Sequence, residues 1–94
     1  MKVILVYDIQ TEDPDGEGQK ILNRVRKVAR RFLYHIQKSV FEGELTAGQL
    51  ARLQQEVRGL IRPELDSVIL YVFPDGVQMD RRILGGEDPT TNVI

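Results

Sequence analysis

The chain contains no cysteine. That excludes disulfides and any zinc or iron–sulfur site built on thiolates, and it fits a reducing, cytoplasmic setting. Long apolar runs are also missing. The most apolar stretch, near the N-terminus, is about eight residues long and follows one lysine, too short to cross a membrane and without a small-residue cleavage site; it is read as neither a span nor a signal peptide. Strong net charge is absent too: the balance is −1 and the pI about 5.8, so bulk charge does not point to nucleic acid. Internal repeats, low-complexity tracts and linkers are not found, and histidine occurs once, as His35.

What is present describes a small globular protein. The 94 residues are 41% hydrophobic and 29% charged, which predicts one domain over 1–94, near the lower size limit for independent folding. Such a chain buries roughly 60–65% of its unfolded surface, so burial against a partner would add materially to its stability. The charges are unevenly placed. Residues 20–31 hold six of the thirteen cations (Lys20, Arg24, Arg26, Lys27, Arg30 and Arg31) and no acid. The loop before them holds Asp8, Glu12, Asp13, Asp15 and Glu17 and no cation.

Periodicity gives the elements. Residues 2–9 (KVILVYDI) are short and rich in Val, Ile and Tyr and read as a strand with both faces apolar. "TEDPDGEG" (11–18) is a loop, read as a flexible flap without the ligand spacing of an EF-hand. Ile21, Leu22, Val25, Val28, Ala29, Phe32 and Leu33 fall on one face of a helix over 18–33. Lys20, Arg24, Lys27 and Arg31 make a basic stripe along one flank of that face. Residues 34–45 suit two short strands with a bend near Lys38-Ser39. Thr46 and Gln49 form a capping box for a second helix carrying Leu50, Leu53, Val57, Leu60 and Ile61, with Pro63 as its stop. Residues 67–73 (SVILYVF) are a strand, Pro74-Asp75-Gly76 a turn, 77–84 a more polar fifth strand and 85–94 a tail.

The order β-α-β-β-α-β-β predicts an α+β, ferredoxin-like fold with one additional C-terminal strand: an antiparallel sheet with two helices on one face. Apolar residues on both faces of the first and fourth strands leave a second face to cover. A two-fold related copy is the simplest cover, and an obligate homodimer is predicted.

"VYDI", "NRVRK", "IQKSVFEGELT", "DSVILY" and the "TNVI" ending, in this order along nearly the whole chain, resemble the small CRISPR-associated endoribonuclease family, whose members are ferredoxin-like dimers that partner the CRISPR adaptation integrase. The hairpin stretch "QKSVFEGELT" is the most specific piece. The resemblance implies a metal-dependent nuclease acting on single-stranded RNA or duplex DNA, and a scaffold for the integrase during spacer acquisition. It implies that Asp8, at the end of the first strand and preceded by Tyr7, is the catalytic and metal-linked residue, with Mg²⁺ or Mn²⁺ as cofactor. It matches Arg24 to the family's helix arginine, and Phe41, with Ser39 beside it, to the family's hairpin phenylalanine. His35 stands where some relatives place an arginine. Glu17, Gly18, Gln19 and Lys20 stand where relatives often carry arginines, which weakens any grip on phosphate at the start of that helix.

Each residue also has a plainer reading. Asp8 alone is a solvated strand-end acid. As one of two related by a dimer axis it supplies half of an oxygen site for Mg²⁺, and without metal the two carboxylates repel, so activity should fall in acid. Arg24, Lys27 and Arg31 are a solvated face or a phosphate-binding stripe. His35 is structural, or touches phosphate, or works as an acid–base group. Tyr7 and Phe41 pack a core or interface, or stack on bases. The functional alternative to an enzyme is a catalytically silent adaptor that binds nucleic acid and docks the integrase through the fifth strand and the tail.

Overall fold

The structure, a computed structural model, describes residues 1–89. The chain runs β1 (Lys2–Asp8), α1 (Glu17–Phe32), β2 (Tyr34–Gln37), β3 (Val40–Glu44), α2 (Ala47–Arg58) and β4 (Ser67–Phe73). The strands form one sheet in the order β2-β3-β1-β4, with every pairing antiparallel. This is the expected α+β plan.

Strand parity divides β1 cleanly. Val3, Leu5 and Tyr7 are buried, while Lys2, Ile4 and Val6 are half-buried and Asp8 is exposed. The buried set meets Phe41 of β3, Ile21, Val25 and Ala29 of α1, and Leu53 and Val57 of α2 in one core. Both helices therefore cover the face that carries Val3, Leu5 and Tyr7. The ladder pairs Ile4 with Glu42 and Tyr71, Val6 with Val40 and Ile69, and Asp8 with Ser67. Directly paired residues share a face, so these all lie on the helix-free side. Ile69 and Tyr71 are exposed there, at 46% and 51%.

Local signals hold where the chemistry is local. The Thr46 hydroxyl accepts from the Gln49 N–H at 3.1 Å and the Gln49 side chain accepts from the Thr46 N–H at 2.9 Å, the predicted capping box. The hairpin turns at Lys38-Ser39, between β2 and β3. The turn after β4 closes with a Val77 N–H to Pro74 C=O bond of 3.2 Å and places Gly76 at φ +88°, a conformation that favours glycine.

Three expectations need correction. The second helix ends at Arg58 with Gly59 as its C-cap, not at Pro63. Leu60 and Ile61 still pack on the core from the turn beyond it, so the apolar period outlasts the helix. Residues 77–84 form no strand among the described residues. A strand needs a neighbour's edge, and this segment instead crosses the helix-free face. Met79, Arg81 and Ile83 line a groove with Ile4, Ile36, Val40 and Glu42. The Arg81 guanidinium donates to both oxygens of the Glu42 carboxylate, which is 6% exposed and also lies 3.5 Å from Lys2 Nζ. The end of the predicted tail (85–94), from Thr90 onward, lies outside the described residues.

The third correction concerns the acidic loop, which is tied down rather than free. The Asp13 Oδ2 atom accepts from the Gly18 N–H at 3.0 Å and from Arg62 Nη1 at 3.0 Å. Asp15 accepts from the Glu17 N–H at 3.0 Å. These carboxylates satisfy the first N–H groups of α1 and complement its dipole. The positive end of α1 is thereby filled by the chain itself. That agrees with the absence of arginines at 17–19 and leaves no open anion cradle at that helix end.

Candidate functional site

Four of the predicted residues, Tyr7, His35, Ser39 and Phe41, meet at the corner where β1 runs out against the β2–β3 turn. Tyr7 is 4% exposed. Its N–H donates to Ser39 C=O at 3.1 Å, and its hydroxyl donates to Lys38 C=O at 2.7 Å and accepts from Arg26 Nε at 3.1 Å. The Phe41 ring centroid lies 6.1 Å from that of Tyr7 and 4.4 Å from that of His35, which stacks on it at an interplanar angle of 8°. His35 is exposed, and its Nε2 lies 3.3 Å from Lys38 C=O. Tyr7, His35, Ser39 and Phe41 thus form one contiguous cluster.

Within the cluster the roles sort by exposure. Phe41 is 0% exposed and offers no ring face for a base, so it belongs to the core. Tyr7 is likewise committed to packing and to the turn. His35 is the aromatic ring of the cluster that solvent reaches. Arg26, which is not part of the Lys20, Arg24, Lys27 and Arg31 stripe, reaches the site through Tyr7. The signal was available: Arg26 lies four residues after Leu22 and three before Ala29, on the border of the apolar stripe.

The basic stripe is only partly free. Arg31 Nη1 donates to Glu56 Oε1 of α2 at 2.7 Å and its guanidinium lies 5.3 Å from the Phe32 ring centroid. The compensating acid comes from another helix, so the absence of acids within 20–31 did not reveal it. Lys20, Arg24 and Lys27 are exposed and have no carboxylate partner among the described residues.

Asp8 follows Tyr7 on the opposite face, exposed, at the head of a shallow hollow with Ile9, Gln10, Thr11, Glu12, Glu64 and Leu65. Its carboxylate makes no hydrogen bond or ion pair among the described residues. One side is set by the ladder to Ser67. The other is set by an ion-pair hub that sequence reading missed. Arg62 donates to Asp66 through Nε and Nη2 (both 3.1 Å), to Asp13 through Nη1 and to Gln10 C=O through Nη2 at 2.7 Å. The Arg62 to Asp66 spacing of four was a visible cue, whereas the partners 49 and 52 residues away were not. Burial alone would raise the Asp66 pKa, but the bonds from the Arg62 side chain and from the N–H groups of Arg62 and Gln10 outweigh it and hold the carboxyl below its ordinary value. The Arg62 pKa is raised in turn, chiefly by Asp66 and then Asp13.

As a metal site the corner is incomplete in one chain. No group of three or more His, Cys, Asp or Glu able to hold a metal occurs among the described residues. An unpartnered carboxylate is nevertheless the hard oxygen donor that Mg²⁺ or Mn²⁺ takes, and such ions are commonly held by one or two carboxylates plus waters and substrate phosphate. Asp8 fits as one ligand of such a set. No helix among the described residues is long and apolar enough to cross a membrane.

Known proteins resemble this chain over nearly its full length. A protein of Moorella thermoacetica named CRISPR-associated endoribonuclease Cas2 2 is 43% identical over 93 residues, covering 98% of this chain and all of its own. A Fusobacterium nucleatum protein named CRISPR-associated endoribonuclease Cas2 is 39% identical over 95 residues, covering 100% of this chain and 87% of its own. The crystal structure of Streptococcus pyogenes Cas2 at pH 6.5 superposes with a TM-score of 0.76 at 29% identity, covering 90% of this chain and all of that one. The sequence profile of the family described as CRISPR associated protein Cas2 matches residues 1–81, and the chain belongs to that family.

Proposed function

We propose that this chain is a CRISPR-associated endonuclease that hydrolyses phosphodiester bonds of RNA or duplex DNA as a homodimer, with Asp8 of each copy holding a shared Mg²⁺ or Mn²⁺. The observation that carries the reading is the placement of Asp8. It stands without a partner among the described residues at the end of β1, on the helix-free face that still exposes Ile69 and Tyr71. A second copy covering that face, related by a two-fold axis passing near this strand end, would bring a second Asp8 carboxylate beside the first. The printed names of the Moorella and Fusobacterium relatives support the endoribonuclease activity.

In this reading the chain's residues divide the work. A bound divalent ion would polarise the scissile phosphate and lower the pKa of an attacking water. Asp8 supplies charge and an oxygen ligand, and its lack of an internal partner keeps that carboxylate available. Lys20, Arg24 and Lys27 attract the phosphate backbone, contributing affinity and salt dependence rather than base choice. His35 is positioned to meet a phosphate or a base edge at the rim, with Phe41 fixing its ring from below. The scaffold role toward the integrase belongs to the same proposal. A silent adaptor is the second reading, and its support is that no group of three or more His, Cys, Asp or Glu able to hold a metal occurs among the described residues of one chain.

The test compares wild type, Asp8→Asn and the pair Arg24→Glu/Lys27→Glu on single-stranded RNA and duplex DNA, with Mg²⁺, Mn²⁺ or chelator. Asp8→Asn should bind as wild type but lose cleavage by about 100-fold or more, the scale of removing a central electrostatic group. The charge reversals should weaken binding to all sequences and flatten its salt dependence. Wild-type cleavage by Asp8→Asn refutes the catalytic reading. Metal-independent binding with no cleavage by any form favours the adaptor.

A further inference from the structure

The exposed Asp8 side chain has no hydrogen-bond or ion-pair partner among the described residues, so the direction of its carboxylate depends on the backbone either side. Upstream, Tyr7 is locked by its ladder and by the Arg26 and Lys38 bonds. Downstream the ladder stops at the Asp8–Ser67 pair. Two residues later Gln10 is gripped through both of its backbone polar groups: its N–H donates to Asp66 Oδ1 at 3.0 Å and its C=O accepts from Arg62 Nη2 at 2.7 Å. Asp66 immediately precedes Ser67, the residue opposite Asp8. The hub therefore joins the two strand ends just beyond the Asp8–Ser67 pair.

The chemistry of the hub suits positioning better than bulk stabilisation. The Asp66 side chain is fully buried, and a buried ion pair gives little net stability over apolar packing. What it does give is fixed geometry. One planar guanidinium serves Asp66, Asp13 and Gln10 C=O at once, through Nε, Nη1 and Nη2. A lysine ammonium keeps the charge but cannot span that fork. Through Asp13, which also accepts from the Gly18 N–H, the same guanidinium is anchored to α1.

We propose that Arg62 and Asp66 are positioning residues for Asp8: they hold the Ile9–Gln10 backbone so that the Asp8 carboxylate is pre-aimed to take a divalent cation. The inference rests on the reading of Asp8 as a metal ligand. It assigns to residues from the connection between α2 and β4 a part in that site's metal affinity.

The experiment uses the full-length protein, uniformly ¹⁵N-labelled, titrated with Mn²⁺, whose paramagnetism broadens amide signals near where it binds. In wild type the Asp8 and Ser67 amides should broaden first. In Arg62→Lys the Mn²⁺ concentration for half-broadening should rise about 10-fold, the lower end of what loss of an outer-sphere partner does to metal affinity. Asp66→Asn should shift it in the same direction and serves if Arg62→Lys does not fold. Val57→Ala, a core truncation that removes none of the hub's hydrogen bonds, should lower thermal stability and leave the half-broadening concentration unchanged. The clamp is refuted if Arg62→Lys and Asp66→Asn titrate as wild type, or if Val57→Ala shifts the midpoint as much as they do. Asp8→Asn separates the two ideas. If localised broadening vanishes in it while the hub variants behave as wild type, only the clamp fails. If broadening at Asp8 and Ser67 persists in Asp8→Asn, or never occurs in wild type, the ligand assignment itself fails and the clamp falls with it.

Discussion

Replacing glycine by alanine within a helix ordinarily stabilises it, by about 1 kcal/mol from propensity alone. Gly18, in the first turn of α1, should do the opposite. A Cβ there would lie 1.9 Å from Gln10 O, 2.5 Å from Asp13 Oδ2 and 2.8 Å from the Thr11 Cα, where real Cβ atoms keep at least 3.0 Å from other heavy atoms. Two of the three obstacles are backbone, so no rotamer change relieves them. Relief requires the 10–13 loop to move about 1 Å, which strains the Asp13–Gly18 and Arg62–Gln10 bonds; overpacking costs about 1–3 kcal/mol and each weakened bond about 1 kcal/mol. Setting the propensity gain against these leaves Gly18→Ala destabilised by about 2–4 kcal/mol. At about 4–8 °C per kcal/mol for a domain of this size, the midpoint should fall by roughly 8–32 °C. Gly48 is the internal control: it occupies the first turn of α2 with nothing within 4 Å of a Cβ, so Gly48→Ala should be neutral or gain up to about 1 kcal/mol. Thermal melts by circular dichroism and urea titrations measure both. A Gly18→Ala protein that melts at or above wild type would refute the account of how the loop is seated on the helix.

Further perturbations test other parts of the structure. Because the Asp66 carboxyl is held below its ordinary 3.8, its contribution is fully present above that value and lost as pH falls through the lower native one. The stability gap between wild type and Asp66→Asn should therefore narrow as pH falls below 3.8 in urea titrations, and a constant gap would deny the linkage. Thr46→Ala removes the capping box of α2 and should cost about 1 kcal/mol, read from the urea midpoint at an unchanged slope. Phe41→Ala empties a fully buried site and should cost about 3–5 kcal/mol. If the stacking is as described, it also shifts the His35 ring protons downfield by removing the ring beneath them.

Much of this architecture was legible because it rests on short-range rules. Parity along KVILVYD, the Thr46–Gln49 box and the Lys38-Ser39 turn each lie within a few residues, and the structure places them where the sequence does. The misreadings came from longer-range effects. Leu60 and Ile61 continue the apolar period yet pack from a turn, since burial does not require the helix to continue past Gly59. Residues 77–84 carry an alternating pattern, but pairing depends on an available edge, and Arg81 instead meets Glu42 from β3 across the sheet face. Arg31 looked unpaired because Glu56 is 25 residues away. The hub that seats Gln10 depends on Asp13 and Arg62, 49 positions apart, with only the Arg62–Asp66 spacing to hint at it. For the candidate site, the structure brings Tyr7, His35, Ser39 and Phe41 together, while their exposure, which divides ring face from core, emerged only from packing.

The alternation along β1 also governs which changes in chain length this protein can absorb. Tyr7 faces the core and Asp8 the helix-free side only because they are an odd number of residues apart in a two-residue repeat. Deleting or inserting one residue before Tyr7 leaves a choice between shifting the ladder with β3 and β4 and inverting the two faces, which would drive lysine and aspartate inward and expose Val3 and Leu5. Neither can be mended locally, because Tyr7 is bolted to Lys38 and Arg26 by its hydroxyl. The segment from Lys2 to Asp8 should therefore be intolerant of single-residue insertions and deletions, while the exposed turn at Asp75-Gly76, which bears no ladder, should accept them.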